Sequence, residues 1–294
     1  MAEEGAGFRL DRGGVRAAFD RAGASYESAA RLQARVAEEL LTRLETFRFE
    51  PAVVLDLGAG TGRVTAQLKR RYPRAQVLAL DLSLGMLRQA RHHLRLWRRF
   101  ARVCADAQRL PLKSASVDLV FSSLMLQWCE PLDAALAEVR RVLKPAGFFA
   151  FSTFGPATLK ELRRAWAAAD DYNHVNHFID VHDVGDALVR AGFSEPVLDV
   201  DRIELGYSDA LALMRDLKAI GAHNVTAGRP RTLLGRAHLK RMQAAYETER
   251  VNGVLPATYE VIYGASWGSS GRLAAPLSAG EAYIAPGSIG RRAR

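Results

Sequence analysis

Val53, Val54, Leu55 and Leu57 run straight into three closely spaced glycines, Gly58, Gly60 and Gly62. A continuous apolar run of this kind is what a strand covered on both faces requires, which commits the chain to a parallel sheet with helices on each side. The glycines make a tight turn and let the backbone approach a ligand with no Cβ in the way. A helix is expected from Val64 to Arg71, with its N-terminal N–H groups aimed at the turn. The spacing is G-x-G-x-G rather than the G-x-G-x-x-G of dinucleotide sites, and Asp56 lies inside the strand end.

Later segments repeat the pattern. Gln76 to Leu80 reads as a strand ending in Asp81, where a carboxylate can accept both hydroxyls of a ribose. Ser83 suits an N-cap for the next helix. Val103 to Ala107 places Asp106 at the end of a third strand, and Val117 begins a fourth that opens into the loop before Trp128. Leu143 to Gly147 reads as a turn before a fifth strand, Phe148 to Thr153. Strands alternating with helices put these acids on one edge of one sheet. Val197 to Tyr207 and Thr258 to Trp267 read as an antiparallel end of that sheet. Helices are expected over Val15 to about Phe47, Ala157 to Ala169, His182 to Gly192 and Ser208 to about Glu249. The resulting division is a disordered N-terminus at 1–14, a single α/β domain at 15–267 and a flexible basic tail at 268–294. Within the domain, 53–153 is the ligand-binding core, and 156–192 and 208–250 are helical cap insertions.

The glycine turn with Asp56, Asp81 and Asp106 resembles the motif set of class I S-adenosylmethionine-dependent methyltransferases. Outside that half, Phe19 to Tyr26 with Leu32 and Gln33, Asn176 to Asp186, Leu217 to Asn224 and Ala257 to Tyr263 are similar to the malonyl-(acyl-carrier protein) O-methyltransferases of biotin synthesis. The likeness covers about residues 15–294. It implies a Rossmann-like α/β fold with a seven-stranded, mostly parallel sheet and an antiparallel last strand, capped by the N-terminal helix and the helical insertions. It implies S-adenosylmethionine as methyl donor, held by Gln33, Asp56, Gly58, Gly60, Gly62, Asp81, Leu82, Asp106, Ala107 and Ser123. Tyr26, His177 and Phe178 would lie on the catalytic, substrate side. The reaction implied is methylation of the free carboxylate of malonyl-acyl-carrier protein, which masks its charge and primes pimeloyl synthesis. Ala59, where many relatives carry cysteine, and Ala146, where glycine is common, depart from the pattern without disturbing either turn.

The chemistry matches what the sequence lacks. A malonyl carboxylate, with a pKa below about 4, is ionised at neutral pH and needs no general base. No nucleophile–base pair is evident in the chain. Gln127 and Trp128 are further candidates for ligand contact, and Tyr26 has packing on an amphipathic helix as its alternative. Two other functions stay open: methylation of a free small carboxylic acid by an enzyme of the same class, and a respiratory-complex assembly factor with a methyltransferase-like fold.

Lys and Arg outnumber Asp and Glu by 41 to 32, a formal charge of +9. Six arginines and no acid fall between Arg88 and Arg102, read as a helix with Leu87, Leu94 and Trp97 or Phe100 turned inward. Such a face attracts an anionic partner, and an acidic carrier protein is one. A nucleic-acid substrate is disfavoured, because Ser122 to Met125 stands where an aromatic-flanked Asn/Asp-Pro-Pro motif would serve it. No apolar run is long enough for a membrane span, and the acidic start of the chain lacks a secretory pattern. Cys104 and Cys129 read as core residues of a reduced, cytoplasmic protein, expected to be a monomer. His174, His177 and His182 have no clustered acids or cysteines beside them, so no metal is expected.

Overall fold

The computed structural model describes residues 10–94, 98–222, 224 and 235–268. Three short helices come first: α1 (Arg12–Ala22), α2 (Tyr26–Ala29) and α3 (Arg31–Arg43). Asp11 caps α1 by accepting the Gly14 N–H at 3.0 Å, so the chain is helical from Arg12, inside the segment expected to be disordered; residues 1–9 lie outside the described residues. The single helix expected from Val15 to Phe47 is broken at Gly23–Ser25 and again at Ala30. A straight helix of that length would run about 50 Å, too far to bury both of its apolar halves. The breaks let Val15, Ala18 and Ala22 bury on one side while Leu32, Val36 and Leu40 bury against the sheet.

The alternating core follows: β1 (Val53–Leu57), α4 (Arg63–Arg71), β2 (Gln76–Asp81), α5 (Leu84–Gln89), β3 (Ala101–Cys104), β4 (Val117–Ser123), α6 (Leu132–Val142) and β5 (Leu143–Phe154). Ser83 caps α5, its Oγ accepting the Met86 N–H at 3.0 Å. The arginine run is not one helix. α5 gives way to a 3₁₀ turn at Ala90–His93, Phe100 is buried, and Arg102 already belongs to β3. Pairing with β2 demands extended backbone there, and the Arg102 guanidinium is fixed on the Leu87 carbonyl at 2.9 Å; Arg95, Leu96 and Trp97 lie outside the described residues. Leu143 to Gly147, expected as a turn, forms the beginning of β5 instead, with Leu143 opposite Val117.

The chain continues through α7 (Lys160–Ala167), α8 (Val181–Arg190), β6 (Ser194–Tyr207), α9 (Ala210–Ala219), α10 (Arg236–Glu247) and β7 (Leu255–Trp267). The seven strands lie in the order β3-β2-β1-β4-β5-β7-β6. Pairings from β3 to β5 are parallel, and β7 runs antiparallel to both of its neighbours. On one face of the sheet the core joins Val36, Leu40, Leu68 and Phe148; on the other it joins Leu55, Leu136, Phe149 and Leu188. The strand order reverses at β1, between β2 and β4, so a crevice opens at the carboxyl ends of these strands. None of the described helices is long and apolar enough to cross a membrane. Residues 269–294, most of the expected flexible tail, lie outside the described residues.

Candidate active site

The crevice is a cleft of about 1020 Å³ counted out to its open mouth. Its floor is the glycine turn. Gly58 has φ +79°, and a Cβ there would collide with the Met125 side chain, so only glycine fits. Gly60 has φ +53°, and a Cβ there would project into open space, leaving bare backbone at the floor. The N–H groups of Gly58 and Ala59 both bond to the Leu80 carbonyl, at 2.8 and 3.0 Å, tying the turn to β2.

Asp81, at the end of β2, lines the cleft. One carboxylate oxygen accepts the Gly60 N–H at 2.8 Å and the other accepts the Ser83 N–H at 2.8 Å. Each oxygen keeps a further lone pair for a ligand hydroxyl. Burial pushes the Asp81 pKa upward and the two backbone donors hold it back. Asp106 stands two residues beyond β3, with Oδ1 on the Gln108 N–H at 2.8 Å and Oδ2 3.4 Å from the Arg12 guanidinium.

Of the residues expected to hold the cofactor, Gln33, Gly58, Gly60, Asp81, Leu82, Asp106, Ala107 and Ser123 line this one cleft, and Tyr26 lies with them. Asp56 and Gly62 do not. The Asp56 side chain is 2% exposed and accepts the Thr65 hydroxyl at 2.5 Å, pinning the first turn of α4 beneath the glycines. Burial raises its pKa to about 7, Thr65 lowers it, and the Asp81 charge adds to the rise. Asp56 borders a side recess that shares Tyr26, Gln33 and Gly58 with the cleft. Gly62 packs against the residue that follows α5, where a Cβ would sit 2.7 Å from that of Ala90.

His177 and Phe178, expected on the catalytic side, are outside the cleft. Phe178 is buried edge-on against Phe154, with ring centroids 5.6 Å apart, and Phe154 takes the place in the cleft wall. Both residues line a neighbouring cavity instead. β5 runs to Phe154, one residue beyond its expected end, and that residue packs between the cleft and Phe178.

Arg12, Val15, Met86, Phe154, Ile220 and Ala222 also line the cleft, without having been expected there. Arg12 falls in the stretch read as disordered, and the start of α1 is masked by Gly13 and Gly14 in its first turn. Ile220 and Ala222 belong to the Leu217–Asn224 segment already singled out, but the reach of α9 over the cleft has no local signal. Ser25 fastens that contact, its hydroxyl donating to the Ala219 carbonyl at 2.9 Å. Gln127 and Trp128 do line the cleft, Trp128 meeting Phe19 edge-on at 5.3 Å.

Tyr26 is half-buried, and burial together with the Asp81 charge pushes its phenol well above the usual range. It is a hydrogen-bond donor at any physiological pH. Cys129 is pushed up to about 12 by burial, with Asp106 adding to the shift, so it is an unreactive thiol. The residues present fit an adenosyl sulfonium ligand: bare backbone at Gly60, a carboxylate with spare lone pairs at Asp81, and an acid at Asp106 just past the end of the neighbouring strand. Among the described residues no cluster of His, Cys, Asp and Glu could hold a metal ion.

The methyltransferase domain family matches residues 55–151. In solved structures the chain is similar to the YcgJ protein of Bacillus subtilis, with TM-score 0.56 and 16% identity over 80% of this chain and 99% of that one. An S-adenosylmethionine-dependent methyltransferase from Thermotoga maritima is similar too, with TM-score 0.52 and 16% identity over 87% of this chain and all of that one. These likenesses show the fold, a Rossmann-like methyltransferase fold. Full-length relatives are much nearer. The malonyl-(acyl-carrier protein) O-methyltransferase of Laribacter hongkongensis is 54% identical over 94% of this chain and 96% of its own length. The protein of the same name from Methylovorus sp. is 51% identical over 92% of this chain and 93% of its own, and the malonyl-(acyl-carrier protein) O-methyltransferase 1 of Coxiella burnetii is 40% identical over 89% of this chain and 90% of its own. The chain belongs to the malonyl-(acyl-carrier protein) O-methyltransferase family.

Proposed function

We propose that the protein methylates the free carboxylate of a malonyl thioester carried by acyl-carrier protein, using S-adenosylmethionine, and so primes pimeloyl synthesis for biotin. The observation that carries this reading is that the acids and the thiol lining the cleft among the described residues are already engaged or protonated. The phenol of Tyr26 keeps its proton, the Cys129 thiol is pushed up to about 12, Asp81 is held by two backbone N–H groups with its remaining lone pairs left for ligand hydroxyls, and Asp106 is held by the Gln108 N–H and the Arg12 guanidinium. Such a site suits a nucleophile that arrives already ionised, and a carboxylate does.

Bound S-adenosylmethionine supplies an electrophilic methyl group on a sulfonium. The chain's own part is to bind, orient and dry the site. Asp81 accepts ribose hydroxyls, Asp106 serves the adenine end, and the backbone of Gly58 and Gly60 allows close approach. Tyr26 offers a neutral donor that orients the carboxylate without the strong ion pair that would blunt its attack, while Gln33 and Ser123 serve the cofactor. Phe19, Trp128, Phe154 and Ile220 exclude water, which strengthens every polar contact inside. Asp56 acts beneath the site, holding α4 in place through Thr65.

The basic run has a smaller part than its sequence suggests. Asp81 is paired with Cys104 at the far end of β3, whereas Arg98 and Arg99 precede the other end of that strand. Those arginines recede from the cleft, and long-range attraction of an acidic carrier is the role they can still fill. Both cysteines are free thiols, as suits the reducing cytoplasm in which we place the reaction, with the protein acting as a monomer; Cys104 is exposed rather than in the core, because β3 is the edge strand of the sheet. Restoring growth without biotin to a strain that lacks its own carboxyl methyltransferase tests the function. Growth supports it, and failure of well-expressed, folded protein to restore growth contradicts it.

A further inference from the structure

Beside the cleft lies a second cavity, about 1100 Å³ counted out to solvent, walled by α8, the start of α6 and the end of β5. It and the cleft share two wall residues, Gln127 and Cys129. Gln127 stands at the junction, its Nε2 donating to the Leu124 carbonyl at 2.7 Å and its Oε1 accepting from the Thr153 hydroxyl at 3.3 Å. The segment Asn176–Asp186, which the cleft does not absorb, sends His177, Phe178 and Asp183 to this cavity.

We propose that this cavity holds the pantetheine arm of the thioester substrate, which passes Gln127 to deliver its acyl end into the cleft. This rests on the carboxyl-methylation reading above. A carrier-bound acyl group cannot reach a recessed methyl donor without a groove for its tether. The tether is a neutral chain of two secondary amides, a hydroxyl and a geminal dimethyl group. The cavity wall matches that chemistry: Phe178, Ile179 and Leu132 are apolar, while Glu130, Asp133 and Asp183 present carboxylates able to accept amide and hydroxyl hydrogens. Arg190 at the rim donates its Nε–H to Asp133 at 2.9 Å, which fixes that acceptor. The tether itself is uncharged, so once seated it places no anion beside these carboxylates: the malonyl carboxylate lies beyond Gln127 in the cleft, and the phosphate at the other end stays outside.

The test is to plug the cavity from residues that stand outside the core. Asp183 and Asp133 are exposed, one in the first turn of α8 and the other in that of α6. Asp183→Trp and, from the opposite wall, Asp133→Trp are compared with the unsubstituted protein on two substrates. Malonyl-acyl-carrier protein carries the whole arm, and malonyl-N-acetylcysteamine keeps the thioester but lacks most of the arm. The expected result is a KM for the carrier substrate raised about five- to tenfold with kcat little changed, and kinetics on the short thioester unaltered. Unchanged kinetics on both substrates would overturn the proposal and send the arm in between α1 and α9. Equal losses on both would also overturn it, since the cavity would then be supporting the cleft itself. If the unsubstituted protein methylates neither substrate, the reaction is wrong and the arm's route falls with it.

Discussion

Asp81 holds the Gly60 N–H at 2.8 Å, so the acid at the end of β2 and the glycine turn after β1 form one rigid unit. A ligand that meets one meets the other in a fixed relation. The strand register makes this possible, because Leu57 lies opposite Leu80 and brings the two strand ends level.

Replacing Asp81 with alanine therefore does two things. It removes the acceptor for ribose hydroxyls and frees the glycine turn. Loss of charge-assisted hydrogen bonds of about 1.5–3 kcal/mol weakens S-adenosylmethionine binding by roughly 10- to 150-fold. Titration calorimetry on folded Asp81→Ala checks this. Unchanged affinity would remove Asp81 from the site.

Tyr26→Phe removes one hydrogen bond and keeps the ring. A phenol that orients the substrate carboxylate is worth about 1–2 kcal/mol in the transition state, so kcat is expected to fall roughly tenfold. The melting temperature should stay nearly constant. Normal turnover in Tyr26→Phe, with a lowered melting temperature in Tyr26→Ala, would make the residue a packing element of α2 alone.

Asp56 gives stability a pH dependence of definite sign. Its folded pKa, about 7, stands above the ordinary 3.8 because the carboxyl is buried. The folded state thus holds this proton more tightly than the unfolded state. The contribution is complete below the unfolded value, declines as pH rises toward about 7, and is flat above. It is on the order of a few kcal/mol. Asp56→Asn keeps an acceptor for Thr65 and should flatten that part of the profile. Denaturant midpoints measured near pH 5 and near pH 8 make the comparison; identical slopes in both proteins would show that Asp56 does not titrate in this way.

The strand-ending acids and the glycine turn were legible because each belongs to a local pattern: an apolar run, a turn and an acid at its end. The register that levels β1 with β2 follows from that pattern once the sheet is parallel. The cap was not legible to the same degree. Ala30 breaks the N-terminal helix although alanine favours helix, because burying both α1 and α3 overrides local propensity. The arginine run has helical spacing, yet β3 claims Arg102 for the sheet edge. His177 and Phe178 sit in a segment whose likeness to relatives marks it as functional, but likeness carries no direction. In the fold Phe154, at the end of β5, packs on Phe178, and both residues line the neighbouring cavity.

The most direct measurement uses S-adenosylmethionine labelled in its methyl group, purified protein and malonyl-acyl-carrier protein. Label is expected on the carrier, dependent on the malonyl group and released as methanol by mild alkali, as a carboxyl methyl ester requires. No transfer to the malonyl carrier, or transfer into an alkali-stable bond, would contradict it.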